Sequence, residues 1–211
     1  MGIVVHLVDA TISSDASGFS ERSSRTRDDV VIEVAGMCNG VIQALSDAKK
    51  ATKKKTVDAL VFYGHGAGGL QGVSMGKGAV GVSGSKERAA LSSGVLDDPS
   101  VLAAFSAFAP NFTDKGVIVL HGCNVAEGTV GQDFLKKLSK ATGVPVKGSD
   151  WFQIVGRTDL SGNILTATPS GSISEDVKTG MKNLGGLPPG EGLLLLGVEF
   201  GDRMLRRFGW K

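Results

Sequence analysis

Residues 58–69 read Asp-Ala-Leu-Val-Phe-Tyr-Gly-His-Gly-Ala-Gly-Gly, and their reading decides the fold. The apolar run at 59–63 is short and bounded by glycine, the pattern of a buried strand. It stops at Gly64 and leaves His65 in a glycine-rich turn. Working outward, residues 116–123 repeat the layout: Gly116 leads into Val117, Ile118, Val119 and Leu120, and the run ends at His121, Gly122 and Cys123. Two apolar runs therefore each deliver a reactive side chain at a C-terminal end. In an open parallel α/β sheet that edge is where ligands bind. His65 and Cys123 are expected to face each other there.

The rest of the chain fits the same architecture. Residues 3–8 are a β-branched strand ending at Asp9. Residues 11–29 are polar, and the Ser- and Arg-rich part at 20–29 reads as an exposed loop open to proteolytic nicking. Val31, Val34, Met37, Cys38, Val41, Ile42 and Leu45 predict a helix over 30–50, with Cys38 packed on its buried stripe. The glycine-rich stretch 66–84 reads as an irregular loop or a short hairpin. Residues 91–108 predict helical material, with a start at Asp97-Asp98-Pro99-Ser100.

A helix over 129–142 carries Val130, Phe134, Leu135 and Leu138 on its apolar stripe and ends at Gly143. A short strand at 144–146 follows, then a hairpin over 152–168 turning at Ser161-Gly162-Asn163, and a last short helix over 174–184. Strands alternating with helices predict a three-layer α/β/α sandwich around a mainly parallel sheet. The domain covers 1–184, a Gly/Pro linker covers 185–192, and an apolar and basic tail covers 193–211. The four consecutive leucines of the tail need cover, from a docking partner or from the same domain.

At 211 residues, 41% hydrophobic and 21% charged, the chain is long enough and apolar enough for one sizeable core. A net charge of +2 gives no reason to expect nucleic acid as a partner. The lysines at 49, 50, 53, 54 and 55 suit a solvated helix end better than an anion site. Two cysteines, Cys38 and Cys123, make neither a disulfide framework nor a zinc site. That suits a reducing compartment or a thiol kept free for chemistry. The apolar start is too short for a signal peptide, and no run reaches the roughly 20 residues of a membrane span. A cytoplasmic protein is expected, with export by a signal-less route left open.

Three chemical patterns compete for the central region. Gly64, Gly66 and Gly69 match G-x-G-x-x-G after a strand, but glycines continue where a dinucleotide-binding helix must begin. Gly72-Val73-Ser74-Met75-Gly76 matches a nucleophile elbow, but no strand–helix unit fits around Ser74. The third pattern uses Cys123 as nucleophile and His65 as the group that protonates the leaving amine. Their 58-residue separation (123 − 65) leaves room for a crossover between neighbouring parallel strands. Backbone N–H groups of Gly66 and Cys123 are then candidates for an oxyanion hole. The helix beginning after Gly128 is expected to add some positive potential near the thiolate. His121 is assigned a structural or supporting role, because alternation turns it to the face opposite Leu120. The competing reading makes His65 and Cys123 ordinary packing residues.

The two apolar blocks, one followed by His-Gly and the other by Cys, resemble the signature of caspase-like (clan CD) cysteine peptidases. That clan includes caspases, metacaspases, gingipains, separase and CHAT-domain proteases. Residues 117–146, V-I-V-L-H-G-C-N-V-A-E-G-T-V-G-Q-D-F-L-K-K-L-S-K-A-T-G-V-P-V, are also similar to a bacterial caspase-like domain of large surface proteins. The resemblance covers roughly 58–151. It implies a protein or peptide substrate, His65 as general acid, Cys123 as nucleophile, and no metal or organic cofactor. The caspase pattern Q-A-C-x-G is absent, so preference for aspartate is not implied. In metacaspase-like and gingipain-like relatives, acidic residues line the pocket for the residue before the scissile bond. Asp9 and Asp150 stand in comparable places, with Trp151 as an apolar wall, which implies a basic preference; the alternative makes both aspartates turn or cap residues. A non-catalytic caspase-like interaction module is the rival function.

Overall fold

In the computed structural model, residues 2–9, 29–34, 40–52, 55–73, 90–153 and 160–177 are described, all within the unit Met1–Lys178. The strands are β1 (Ile3–Asp9), β2 (Val30–Val34), β3 (Val57–Tyr63), β4 (Gly66–Ala67), β5 (Leu70–Gly72), β6 (Ala90–Ser92), β7 (Phe112–His121), β8 (Val146–Ser149), β9 (Asn163–Ala167) and β10 (Ile173–Val177). The helices are α1 (Gly40–Ala51), α2 (Pro99–Phe108) and α3 (Gly128–Thr142). The main sheet has the order β10-β9-β8-β7-β3-β1-β2. Its strands β2, β1, β3, β7 and β8 are parallel, while β9 and β10 are antiparallel to their neighbours. β4, β5 and β6 form a separate small antiparallel sheet.

The connections from β2 to β3, from β3 to β7 and from β7 to β8 all advance in one direction across the sheet. Right-handed crossovers of that kind place their helices on one face. Val41 and Leu45 of α1, Phe105 and Phe108 of α2, and Phe134, Leu135 and Leu138 of α3 do share a single buried cluster. That cluster includes Leu7, Leu60, Phe62, Ile118 and Leu120 from the sheet. Each such side chain, fully buried, contributes about 1.5–3 kcal/mol. Period-2 alternation turns Val8, Val61 and Tyr63 to the opposite face, where they form a second, smaller cluster. The described helices α1, α2 and α3 pack on one face of the mixed α/β sheet; the connection from β1 to β2, which runs the other way across the sheet, lies outside the described residues. No helix among them is long and apolar enough to cross a membrane.

Several elements differ from their expected form. Residues 30–50 are not one helix: 30–34 form β2, parallel to β1, and the helix starts at Gly40. Three of the five residues in Val-Val-Ile-Glu-Val are valine and one is isoleucine, and β-branched side chains favour the strand. Helical material at 91–108 is confined to a 3₁₀ turn at Val95–Asp97 and to α2, because 90–92 pair with β5 as β6. At the start of α2, Asp98 caps as expected, accepting from the Ser100 N–H at 2.8 Å. The expected strand at 144–146 instead begins at Val146. The first arm of the hairpin expected over 152–168 lies in part at 154–159, outside the described residues; 163–167 form β9, which turns into β10 with Thr168 N–H donating to Ser172 O at 3.0 Å.

The helix expected over 174–184 begins as strand β10. Its Ser174, Glu175 and Asp176 are exposed, so no helical stripe was available to bury, and charge on an edge strand discourages further pairing. In α3, Val130 is 65% exposed rather than part of the stripe. The first turn overhangs the edge of the core, and Val130 abuts Gly69. The Ser/Arg loop up to residue 28, Cys38, Ser74, the linker at 185–192 and the tail at 193–211 lie outside the described residues.

Candidate functional site

Register brings the two candidate residues together. Tyr63, the last residue of β3, pairs with His121, the last of β7. His65 and Cys123 each follow two residues later, so they leave adjacent parallel strands at the same level. Val8 of β1 pairs with Tyr63 from the other side, which sets Asp9 at the third adjacent strand end. The chain runs outward from β1 to β2, then returns to β3 and onward. The reversal of strand order therefore falls between β1 and β3, where open α/β sheets bind ligands.

After β3 the main chain turns at once into the β4–β5 hairpin. The His65 carbonyl accepts from Gly72 N–H at 2.5 Å, which fixes the backbone of the histidine. A side chain at Gly64 would overlap Gly72 O and meet Asp9 Cβ at 3.3 Å. A methyl at Gly66 would lie 2.5 Å from Cys123 O and 2.6 Å from Cys123 N. The main chains that carry the two candidate oxyanion donors, Gly66 and Cys123, are therefore in direct contact, and only glycine permits it. Gly69 N–H donates to Val125 O at 3.0 Å and ties the tip of the hairpin to the loop that carries the cysteine.

That loop, residues 122–127, is shaped by Asn124. Its φ of 56° is left-handed, and among the described residues no other non-glycine has a positive φ. Asparagine tolerates this conformation better than most residues. Its Nδ2 donates to Glu127 Oε2 at 3.0 Å, and its main-chain N–H donates to Trp151 O at 3.0 Å. α3 then starts at Gly128 and ends, as expected, on left-handed Gly143.

Cys123 is half-buried, and its Sγ lies against the main chain of Gln153. The Gln153 N–H donates to Sγ at 3.3 Å, and the thiol faces Gln153 O at 3.8 Å. Burial pushes the thiol pKa above its ordinary value, against the opposing pull of the Gln153 and Cys123 N–H groups.

The expected specificity residues divide. Asp9 is buried at the strand edge beside Gly64. Asp150 accepts from both the main-chain N–H and the Nδ2 of Asn163, each at 3.1 Å. That is the turn-stabilising alternative weighed for it. Trp151 is 38% exposed and packs edge-on against Phe152, itself 43% exposed, with ring centroids 6.0 Å apart.

His121 faces away from Leu120, as alternation required. Its ring meets Tyr63 at 5.1 Å, and Tyr63 stacks in turn on His6 at 5.8 Å. His6 Nε2 lies 3.8 Å from Asp29 Oδ2, both side chains being buried. Among the described residues no group of three or more His, Cys, Asp or Glu is arranged to hold a metal ion.

Sequence reasoning missed Gln153, Gln71 and Asn124. Gln71 is fully buried; its Nε2 donates to Gly72 O at 3.1 Å, and its Oε1 lies at the edge of Gly122. Neither glutamine stands in a motif, so no signal was available for them. Asn124, next to Cys123 at the start of a loop, carried a weak one, since Asn is a common left-handed residue.

No curated protein matches the chain. A family model does, over residues 7–185, and it spans every strand end just described. The chain thus belongs to the family described as a domain of unknown function, DUF4347.

Proposed function

We propose that this protein is a cysteine endopeptidase of the caspase-like kind, with Cys123 as nucleophile and His65 as its acid–base partner. One observation carries the reading: Tyr63 pairs with His121, so the two side chains leave adjacent strand ends in the same register. The main-chain contact through Gly66 supports it. In the reaction, the Cys123 thiolate attacks the scissile carbonyl carbon. Its oxygen becomes an oxyanion that accepts from the Gly66 and Cys123 N–H groups. As the C–N bond breaks, His65 gives a proton to the leaving amine. Water then attacks the thioester, with His65 taking its proton, and frees the acid product and the thiol.

A basic residue before the scissile bond suits the buried carboxylate of Asp9 at the same edge. Asp150 supports this less, because Asn163 already occupies its oxygens. The second reading, a non-catalytic interaction module of the same fold, is favoured by the burial that pushes the Cys123 thiol pKa up.

The test is cleavage of matched peptides with Arg, Lys, Asp or Leu before the scissile bond. Cys123→Ala should abolish turnover, and His65→Ala should lower it about 100-fold to 10,000-fold. Asp9→Asn should remove most of the preference for Arg, and Asp150→Asn much less. Equal cleavage by wild type and Cys123→Ala would falsify the nucleophile assignment. Preference for Asp or Leu would remove the carboxylates from the pocket.

A further inference from the structure

We propose that Gln153 is a positioning residue for Cys123: its main-chain N–H, clamped by its own side-chain amide, is held on the sulfur as a donor that stabilises the thiolate. This rests on the reading of Cys123 as nucleophile and adds a third main-chain donor to that site. The Gln153 N–H donates to Sγ at 3.3 Å. A hydrogen bond to an ionised acceptor is roughly twice as strong as a neutral one, so this contact tightens when the thiol proton leaves. The carbonyl of the same residue stands farther off, at 3.8 Å, so the departing proton gives up a weaker contact than the charge gains. Burial works against the charge, and this N–H opposes it.

The three donors divide the work. The Gly66 and Cys123 N–H groups serve the substrate oxygen, whereas the Gln153 N–H serves the sulfur. It acts before the attack, on the thiolate. It acts again once water has added to the thioester, when the C–S bond breaks and its electron pair returns to sulfur.

The side chain of Gln153 fixes this donor in place. Its Nε2 donates to Trp151 O at 2.9 Å and to Ser161 O at 3.2 Å, and its Oε1 accepts from Ser161 N–H at 2.9 Å. One amide thus joins 151–153 to Ser161. Ser149 at the end of β8 completes the anchor, accepting from Trp151 N–H at 3.0 Å and donating to Ser161 O. Trp151 O also accepts from the N–H of Asn124 at 3.0 Å, so the segment that bears the donor is tied to the loop that bears the sulfur.

The experiment is the pH profile of alkylation of the full-length protein by iodoacetamide, with the modified Cys123 peptide quantified by mass spectrometry apart from Cys38. The midpoint of the profile reports the thiolate, and its plateau reports access. The ionisable groups around this edge, Asp9 after β1, His65 after β3, Glu127 on the cysteine's own loop and Asp150 after β8, are the same in every variant, so a change of midpoint reports Gln153. Gln153→Pro removes the N–H and should raise the midpoint by about one pH unit. Gln153→Met keeps the N–H and most of the bulk but loses the three side-chain hydrogen bonds. It should raise the midpoint by about half as much, and it decides alone if circular dichroism shows the proline variant unfolded. An unchanged or lowered midpoint in either folded variant overturns the assignment. A changed plateau at an unchanged midpoint overturns it as well, because the contact then governs only access. No substrate is needed, so raised midpoints without cleavage of any peptide uphold the donor and overturn the peptidase reading.

Discussion

The two strand ends that meet at the edge of the sheet begin alike in sequence and are built differently. After β3 the chain folds back on itself: His65, Gly66 and Gly72 are set by main-chain pairing within a few residues. After β7 it passes through a loop into a helix, and that loop is held from a distance by Ser149, Trp151 and Gln153. One side is fixed by backbone geometry that only a glycine replacement can disturb. The other is set by side chains and carbonyls some thirty residues away. The difference teaches that two candidate residues at neighbouring strand ends can be held in different ways, one by local backbone pairing and the other by contacts from a distance.

Replacing glycine on the rigid side should have the largest effect. Gly66→Ala should destabilise by about 1–3 kcal/mol, because the new methyl meets main chain on the Cys123 side and nothing there can yield cheaply. Gly68→Ala, two residues away, meets Glu127 O at an ordinary 3.5 Å and should change little. Urea melts of the two variants check the contrast; equal stability would mean the loops separate without cost.

On the side held from a distance a smaller effect is expected. Asn124→Ala places a Cβ-bearing residue without its side-chain bond at φ 56°, at a cost of about 1–2 kcal/mol. Asn124→Gly should recover part of that loss, since glycine adopts the conformation freely. Thermal melts that rank Gly no higher than Ala would show that the left-handed backbone at 124 does not set the cost.

The smallest effect is on pH dependence. The folded-state pKa of Cys123 is raised, so its contribution to stability is complete below the unfolded value and is lost as pH rises through the folded value. The slope attributable to this one group cannot exceed about 1.4 kcal/mol per pH unit. Comparing the alkaline arms of stability curves for wild type and Cys123→Ala isolates it; a wild-type curve no steeper than that of the variant would argue against a raised thiol.

How much was legible in the sequence follows from which forces were local. The strands at 59–63 and 117–120 and the helix at 129–142 announced themselves, because uninterrupted apolar runs and a 3.6-residue stripe each suit one element. Their pairing brought His65 and Cys123 to one edge as expected. Residues 30–34 misled because Val31 and Val34 fit helical spacing while the branched run fits a strand, and β1 supplied the partner that decided it. Residues 173–177 misled because their pairing with β9 is a tertiary fact. Gln153 was invisible for the same reason: its main chain reaches Cys123 only through the tertiary fold, and any residue but proline offers the same N–H and carbonyl.

Tyr63, whose ring lies between those of His6 and His121, is the only tyrosine in the chain. Its hydroxyl is 3.3 Å from His6 Nδ1, and it is the last residue of the strand that carries His65. Isotope labelling confined to tyrosine would therefore yield one ring signal, free of overlap, rooted beneath the candidate site. The molecule carries its own resonance probe there, able to register proton uptake by either neighbouring imidazole without any added chromophore.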